Sequence, residues 1–469
     1  MRFLALAAID LQEVVMATAT GMQQREVLVD KVIGNAKWNS YFLTIAVIGV
    51  VTSIFDGYDS AIFGVATPQL LKAFAATPKQ VGILASWGMI GMFVGAFAAG
   101  ILADVMGRKR ALLWFTAVFC VFTGLCGFSR SFAVFAVFRF IAGLGLPALA
   151  PAGMGLMSEY CPTKQRFSTI PFVSLGIMVG QILVSLVGIM FVSKFGWRIL
   201  FFTSFALLVV IIFQAALLPE SMHKLIKAGK KNAIASALQK ADPAFTPTPK
   251  DDYQITKAGS GKASILELFS PGFAGNTLAL FGVLFMNYFM IYGLTIWLPK
   301  LMMQAGASYS LALWFNILFF LGPLGAIPLS SYLATKVDIT KLLKCIYVLC
   351  AICIAFLWVK VSVYLTVVLL LVGGGCLQAC HGLMGAYVPH NYPFPFRSTA
   401  LGMIWTVGRI GSILSTYLLG LLMTVGVKIQ FEFLMVAVPC ILAIALLSLV
   451  KNYTKVGFPV QSKQMSPSA

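Results

Sequence analysis

The chain has 469 residues, of which 59% are hydrophobic and only 10% charged. Soluble domains average about 25% charged residues, so an ordinary soluble protein is excluded. The formal net charge of +19 does not point to a nucleic-acid binder, because the Lys and Arg residues are scattered in short breaks between apolar runs. A binder would gather them on one face. The distribution is that of an integral membrane protein with basic loops.

Met1 to Ser40 is mixed, and its opening apolar run ends at Asp10, too short for a signal-peptide core followed by a cleavage site. Val27-Leu28-Val29 with Val32-Ile33 predicts a short amphipathic helix at the membrane surface. Apolar spans are expected at 41–66, 81–103, 111–129, 133–158, 167–193 and 197–218. A second set is expected at 273–298, 310–334, 342–359, 363–388, 398–424 and 429–450. Each reaches or approaches the ~20 helical residues that cross a bilayer.

The expected fold is therefore all-α, with twelve transmembrane helices in two six-helix halves. It divides into an N-terminal segment (1–40), a first bundle (41–218), a linker (219–272), a second bundle (273–450) and a tail (451–469). The linker carries Lys224, Lys227, Lys230, Lys231, Lys240, Lys250, Lys257 and Lys262, and a Pro-rich piece from Pro243 to Pro249. Short basic loops at 108–110, 164–166 and 336–344 share its side, which the positive-inside rule makes the cytoplasm, with both termini on that side. Two halves joined in this way are the layout of a secondary transporter. No G-x-x-x-x-G-K-[ST] is present, so an ion gradient rather than ATP is the expected energy source.

Two carboxylates, Asp56 and Asp59, lie inside the first span. A single carboxylate at membrane depth costs roughly 2.5–3.5 kcal/mol, so a pair needs a water-filled cavity, a basic partner or a proton to carry. Arg139 in the fourth span comes to a depth similar to that of Asp56, which favours pairing. A proton arriving on Asp56 or Asp59 would then release the arginine, unless the pair is a permanent structural lock. Arg409 falls near mid-membrane in the eleventh span, between Gly408 and Gly411, with no evident acidic neighbour. It suits either a bidentate grip on a substrate carboxylate or capping of backbone carbonyls. Other polar residues that could line a cavity are Asn287, Tyr288 and Tyr292 in the seventh span, Asn316 in the eighth, and Gln378 and His381 in the tenth. Aromatic rings there could stack on a ring substrate, and His381 could bond a ring hydroxyl or titrate. The nine cysteines read as small apolar packing residues, and no zinc spacing appears.

The break after the second span, Gly100-Ile101-Leu102-Ala103-Asp104-Val105-Met106-Gly107-Arg108-Lys109-Arg110, resembles the signature loop of the major facilitator superfamily. It departs from that pattern at Val105. The resemblance implies a conformational lock built from Gly100, Asp104, Gly107 and Arg108, with Glu159 as its acidic partner. The corresponding loop of the second half, 331–344, lacks the pattern.

Asp56 to Ala61, the R-F-x-x-G-x-G-L from Arg139, Trp197-Arg198, Leu218-Pro219-Glu220-Ser221 and Tyr392-Pro393…Arg397…Gly408-Arg409-Ile410-Gly411 are similar to the aromatic acid:proton symporter branch. The likeness departs at Pro151-Ala152-Gly153. It implies a proton-coupled importer of aromatic carboxylates such as benzoate or hydroxybenzoates, with Asp56, Asp59 and Arg139 in coupling. Symport of another organic anion, or drug efflux by proton antiport, are the rivals. An enzyme is not expected, since no H-E-x-x-H, G-x-S-x-G or metal cluster appears. No cofactor, metal or nucleic acid is expected. The expected partners are a small organic acid, protons and the lipid bilayer of a bacterial inner membrane, with the chain acting as a monomer.

Overall fold

The computed structural model describes residues 25–149, 156–157, 159–255, 265–357, 362–393 and 396–451. The chain opens with a strand, β1 (Arg25–Leu28), and a short helix, α1 (Val29–Asn35). The first half follows as α2 (Ser40–Ala73), α3 (Pro78–Met106), α4 (Arg108–Cys126), α5 (Phe132–Gly145) and α6 (Thr163–Phe195). It closes with α7 (Arg198–Phe202) and α8 (Leu207–Leu217), joined by a 3-10 turn. The linker carries α9 (Met222–Lys227), α10 (Lys231–Ala241) and β2 (Asp251–Gln254). The second half is α11 (Ala274–Gln304), α12 (Tyr309–Ala334), α13 (Ile339–Phe356), α14 (Val363–His390), α15 (Arg397–Val425) and α16 (Ile429–Leu449).

Among the described residues eleven helical stretches are long and apolar enough to cross a membrane, and α5 is a shorter apolar helix. At 14 residues α5 spans only ~21 Å, and a 3-10 turn at Leu146–Ala148 carries the chain onward through Pro147. The fourth span is thus a broken helix rather than the continuous one predicted over 133–158. Pro151-Ala152-Gly153 lies outside the described residues.

Helix starts follow side-chain chemistry. Asn39 accepts from the amides of Tyr41 and Phe42 to cap α2, and Asp338 accepts from those of Thr340 and Lys341 to cap α13. These bonds satisfy amides that a helix start leaves unpaired. Within the first half, α2 and α6 pack backbone against backbone. A Cβ on Gly57 would fall 1.9 Å from the Ile177 carbonyl oxygen, and one on Gly180 would fall 1.9 Å from that of Ile54. Only glycine permits this approach, and small residues at helix crossings are how membrane bundles pack closely.

The halves meet on the side away from the linker. There the Tyr309 hydroxyl donates to the Val65 carbonyl (3.0 Å), Asn316 to the Ser185 hydroxyl (3.0 Å), and the Lys79 amide to the Thr424 hydroxyl (2.7 Å). Ser86 and Thr416 share a hydrogen bond of 2.8 Å, and Ser86 also reaches the Ile413 carbonyl. At the same level Gly64 sits against the Thr295 carbonyl oxygen, 2.1 Å from where a Cβ would be.

The N-terminal segment differs from its predicted amphipathic helix. Residues 25–28 are a strand that pairs in parallel with β2, Val27 facing Tyr253. Val27, Val29, Ile33, Ile234, Leu238, Phe245 and Tyr253 are buried and continuous with the core of the helices. Asn39 ties this unit to α2 by donating to the carbonyls of Lys240 and Ala241. The end of the linker is held by the second half, where the Thr277 hydroxyl donates to the Leu268 carbonyl (2.7 Å).

Candidate functional site

Asp59 and Arg139 form a closed ion pair inside the first half. Nη1 lies 2.6 Å from Oδ1 and Nη2 lies 2.9 Å from Oδ2, a bidentate fork, and both side chains are almost fully buried. The fork matches guanidinium to carboxylate geometry and uses donors that a lysine would not offer in pairs. Thr123 adds a longer contact to Oδ1 (3.5 Å). The depth-matched pairing expected for Arg139 and Asp56 is corrected here: the arginine is committed to Asp59.

Asp56 takes a different direction. It is partly exposed and makes no hydrogen bond or ion pair among the described residues. The charge that acts on it from the second half is Arg409. The same guanidinium lies within electrostatic reach of Tyr288, Tyr292 and His381. Arg409 makes no side-chain hydrogen bond among the described residues. As expected from the sequence, no acidic side chain pairs with Arg409 among the described residues; Asp56 is the carboxylate within its electrostatic reach.

Rings gather here. Tyr288 and Tyr292, one turn apart on α11, lie parallel at 3° with centroids 5.8 Å apart. His381 meets Tyr288 edge-on at 5.1 Å and stacks on Trp405 at 6.0 Å and 21°. Trp405 was not among the residues expected from sequence. It lies four residues before Arg409, hence on the same face of α15, and that spacing is the signal that could have found it. Asn287 is fully buried and supports the ring of His381: its Oδ1 is 3.0 Å from Nδ1, while its Nδ2 donates to the Tyr347 hydroxyl (3.2 Å) and the Leu377 carbonyl (3.4 Å). Gln378 is buried without a hydrogen bond among the described residues. Asn316 does not join the ring cluster. It is bonded to Ser185 in the contact between halves, and its Oδ1 is buried without a partner among the described residues.

On the linker side Glu159 receives four donors or near neighbours. Arg108 Nη1 lies at 2.6 Å, the Ser221 hydroxyl and the Met222 amide each at 3.0 Å, and His223 Nδ1 at 3.1 Å. Gly107, at φ 87°, makes the left-handed turn that brings Arg108 round. Gly100 and Asp104 fall within α3, but their side-chain surroundings lie outside the described residues. Among the described residues no group of His, Cys, Asp or Glu could hold a metal ion.

The sequence profile of the Major Facilitator Superfamily matches residues 49–318 and 280–467. The chain belongs to the major facilitator superfamily. As a superfamily member it is a multi-pass membrane transporter, and its curated relatives are transporters rather than enzymes. It is 30% identical over 435 residues to the benzoate transport protein of Acinetobacter baylyi, covering 91% of this chain and 93% of that one. It is 28% identical to the gallate transporter of Pseudomonas putida, covering 88% and 92%. A niacin transporter of Acinetobacter baylyi is 29% identical, covering 77% and 82%. Among solved structures the D-xylose–proton symporter aligns with a TM-score of 0.69 at 16% identity, covering 88% of this chain and 98% of that one. At that identity the likeness concerns the fold.

Proposed function

We propose that this superfamily member imports aromatic carboxylates with protons, by alternating access around the space between Asp56 and Arg409. One observation carries the reading. Arg409, without a side-chain hydrogen bond among the described residues, lies within electrostatic reach of Asp56 and of a cluster of rings made by Tyr288, Tyr292, His381 and Trp405. A guanidinium without a partner at membrane depth is costly, and a substrate carboxylate would relieve the cost while the rings stack on its benzene ring. The names of the benzoate and gallate relatives agree with this substrate class.

The linker side is assigned to the cytoplasm of a bacterial inner membrane by its basic loops, with both termini there. The hydrogen bonds from Tyr309, Asn316, Lys79 and Ser86 then hold the outer side together. Protonation of Asp59 would break its fork with Arg139, and Asp56 would titrate against Arg409 as cargo enters and leaves. Glu159 with Arg108 and Gly107 would lock the cytoplasmic turn in one state. The transporter works as a monomer in this reading, since each group of the site comes from one chain.

The test is uptake of radiolabelled benzoate and hydroxybenzoates into proteoliposomes. Accumulation that depends on an inside-alkaline pH gradient supports the reading. Equal accumulation without the gradient would remove proton coupling, and uptake of aliphatic dicarboxylates alone would remove the substrate class.

A further inference from the structure

The hydrogen bonds around His381 determine which of its nitrogens carries the proton. The Leu377 carbonyl can only accept, so the amide nitrogen of Asn287 is the atom that faces it, and Oδ1 is the atom that faces His381. An amide oxygen also only accepts. His381 Nδ1 therefore carries a hydrogen and donates to Asn287 Oδ1 over 3.0 Å. In the neutral imidazole this leaves Nε2 bare, as an acceptor. Among the described residues Nε2 has no hydrogen-bond partner, and it is absent from the sealed-off polar atoms.

The ring is also fixed in place. Trp405 stacks on one side and Tyr288 meets it edge-on, so Nε2 cannot turn away without breaking both contacts. Asn287 is in turn held by Tyr347 and the Leu377 carbonyl, both fully within the core of the second half.

We infer that His381 Nε2 is a built acceptor for a donor on the substrate ring, so that the site selects hydroxylated aromatic carboxylates over benzoate and over nicotinate. This rests on the reading that the cleft takes aromatic carboxylates. With the carboxylate on Arg409 and the ring beside Trp405, a phenolic O–H directed at Nε2 makes an O–H···N bond. Benzoate leaves Nε2 unpaired when the cleft is filled. A methoxy group offers only an oxygen acceptor, and the ring nitrogen of nicotinate sets acceptor against acceptor. A pocket built to hydrogen-bond a substrate hydroxyl discriminates against the analogue lacking it, because its own polar atom is left without a partner.

The experiment is equilibrium binding to the purified protein in nanodiscs, by isothermal titration, with benzoate, 3- and 4-hydroxybenzoate, 4-methoxybenzoate and nicotinate. The better hydroxybenzoate should bind roughly three- to tenfold tighter than benzoate or 4-methoxybenzoate, as one net hydrogen bond implies, and nicotinate should bind more weakly still. His381→Phe should bring the ratio of hydroxybenzoate to benzoate affinity to about one, whatever the absolute affinities, while His381→Gln should retain part of the preference. Benzoate and hydroxybenzoate binding equally, or a preference that survives in His381→Phe, overturns the inference and leaves the aromatic-acid reading standing. Binding of none of the five overturns both. His381→Gln carries the test if His381→Phe does not fold, and equal binding of benzoate and hydroxybenzoate by the wild type overturns the inference by itself.

Discussion

Arg139 grips Asp59 with both terminal nitrogens, at 2.6 and 2.9 Å, in a pocket from which both side chains are almost wholly excluded from solvent. Removing one partner of such a pair leaves a buried charge without compensation, which costs about 3–5 kcal/mol. Arg139→Ala should therefore lower the melting temperature in detergent sharply. Arg139→Lys should recover only part of it, because a lysine cannot make the fork. Asp59→Asn keeps the shape and should abolish uptake driven by a pH gradient while the protein still inserts. Undiminished gradient-driven uptake in that variant would show the pair to be structural only.

Asp56 lies within electrostatic reach of Arg409 without an ion pair to it among the described residues. Neutralising the carboxylate leaves the guanidinium's field unopposed, so Asp56→Asn should bind an aromatic carboxylate more tightly, on the order of tenfold for a charge at moderate effective dielectric. Arg409→Gln should do the reverse and lose binding. Calorimetry on both variants decides. Weaker binding in Asp56→Asn would mean that Asp56 holds the substrate rather than repelling it.

The close approach of Gly64 to the Thr295 carbonyl is a contact between halves on the closed side. A methyl group there has no room, so Gly64→Ala should wedge that side open and shift the conformational balance. Overpacking of this kind costs typically about 1–3 kcal/mol, enough to change a two-state population by a factor of roughly 5 to 150. Cysteine pairs reporting the outer-side distance by double electron–electron resonance would show a longer population. An unchanged distance distribution would mean the helices shift together to absorb the methyl.

Burial alone would raise the pKa of Asp251. The hydrogen bonds from the Thr248 hydroxyl and amide and from the Tyr253 hydroxyl, with the nearby charge of Arg25, together hold it below the usual carboxylate range. A carboxyl with a lowered folded pKa adds stability above its unfolded pKa, near 3.9, and loses it as pH falls through the folded value. Protection of the strand pair against proteolysis should therefore be full at neutral pH and fade only in strong acid. Asp251→Asn should make the linker more sensitive at pH 7. The difference from wild type should vanish at low pH, and a difference that persists there would assign the effect to shape rather than charge.

Glu432, one turn into α16, is fully buried, and neither of its carboxylate oxygens has a hydrogen-bond partner among the described residues. An ionised carboxylate so placed is costly, so Glu432→Gln, a neutral isostere, should leave the melting temperature unchanged or raise it. A drop of several degrees would show that Glu432 is ionised and draws on Lys300.

The spans were readable because apolar runs of that length have few other solutions in a membrane protein. The signature loop was readable because Gly107 and Arg108 must make one specific turn. What escaped is direction and distance. Asp56 and Asp59 are three residues apart, so their side chains diverge by about 60° around α2, enough to point one at Arg139 and the other into the cleft. A shared helix face did not reveal that divergence. Asn316 has the chemistry of a cavity residue, yet its place in the contact with Ser185 depends on how two halves pack. Four-residue strands such as β1 and β2 carry almost no local signal, since their pairing partners are more than 200 positions apart.

That strand pair also sets a leash. β1 and β2 fasten the linker beneath the first half as far as Gln254, and the turn beginning at Ile265 is held by the second half. Only residues 255–264 remain between the two moorings, which at full stretch reach about 35 Å. Any swing of one half against the other must fit within that radius, so shortening this stretch would set a ceiling on the amplitude of the cycle while leaving the cargo pocket untouched.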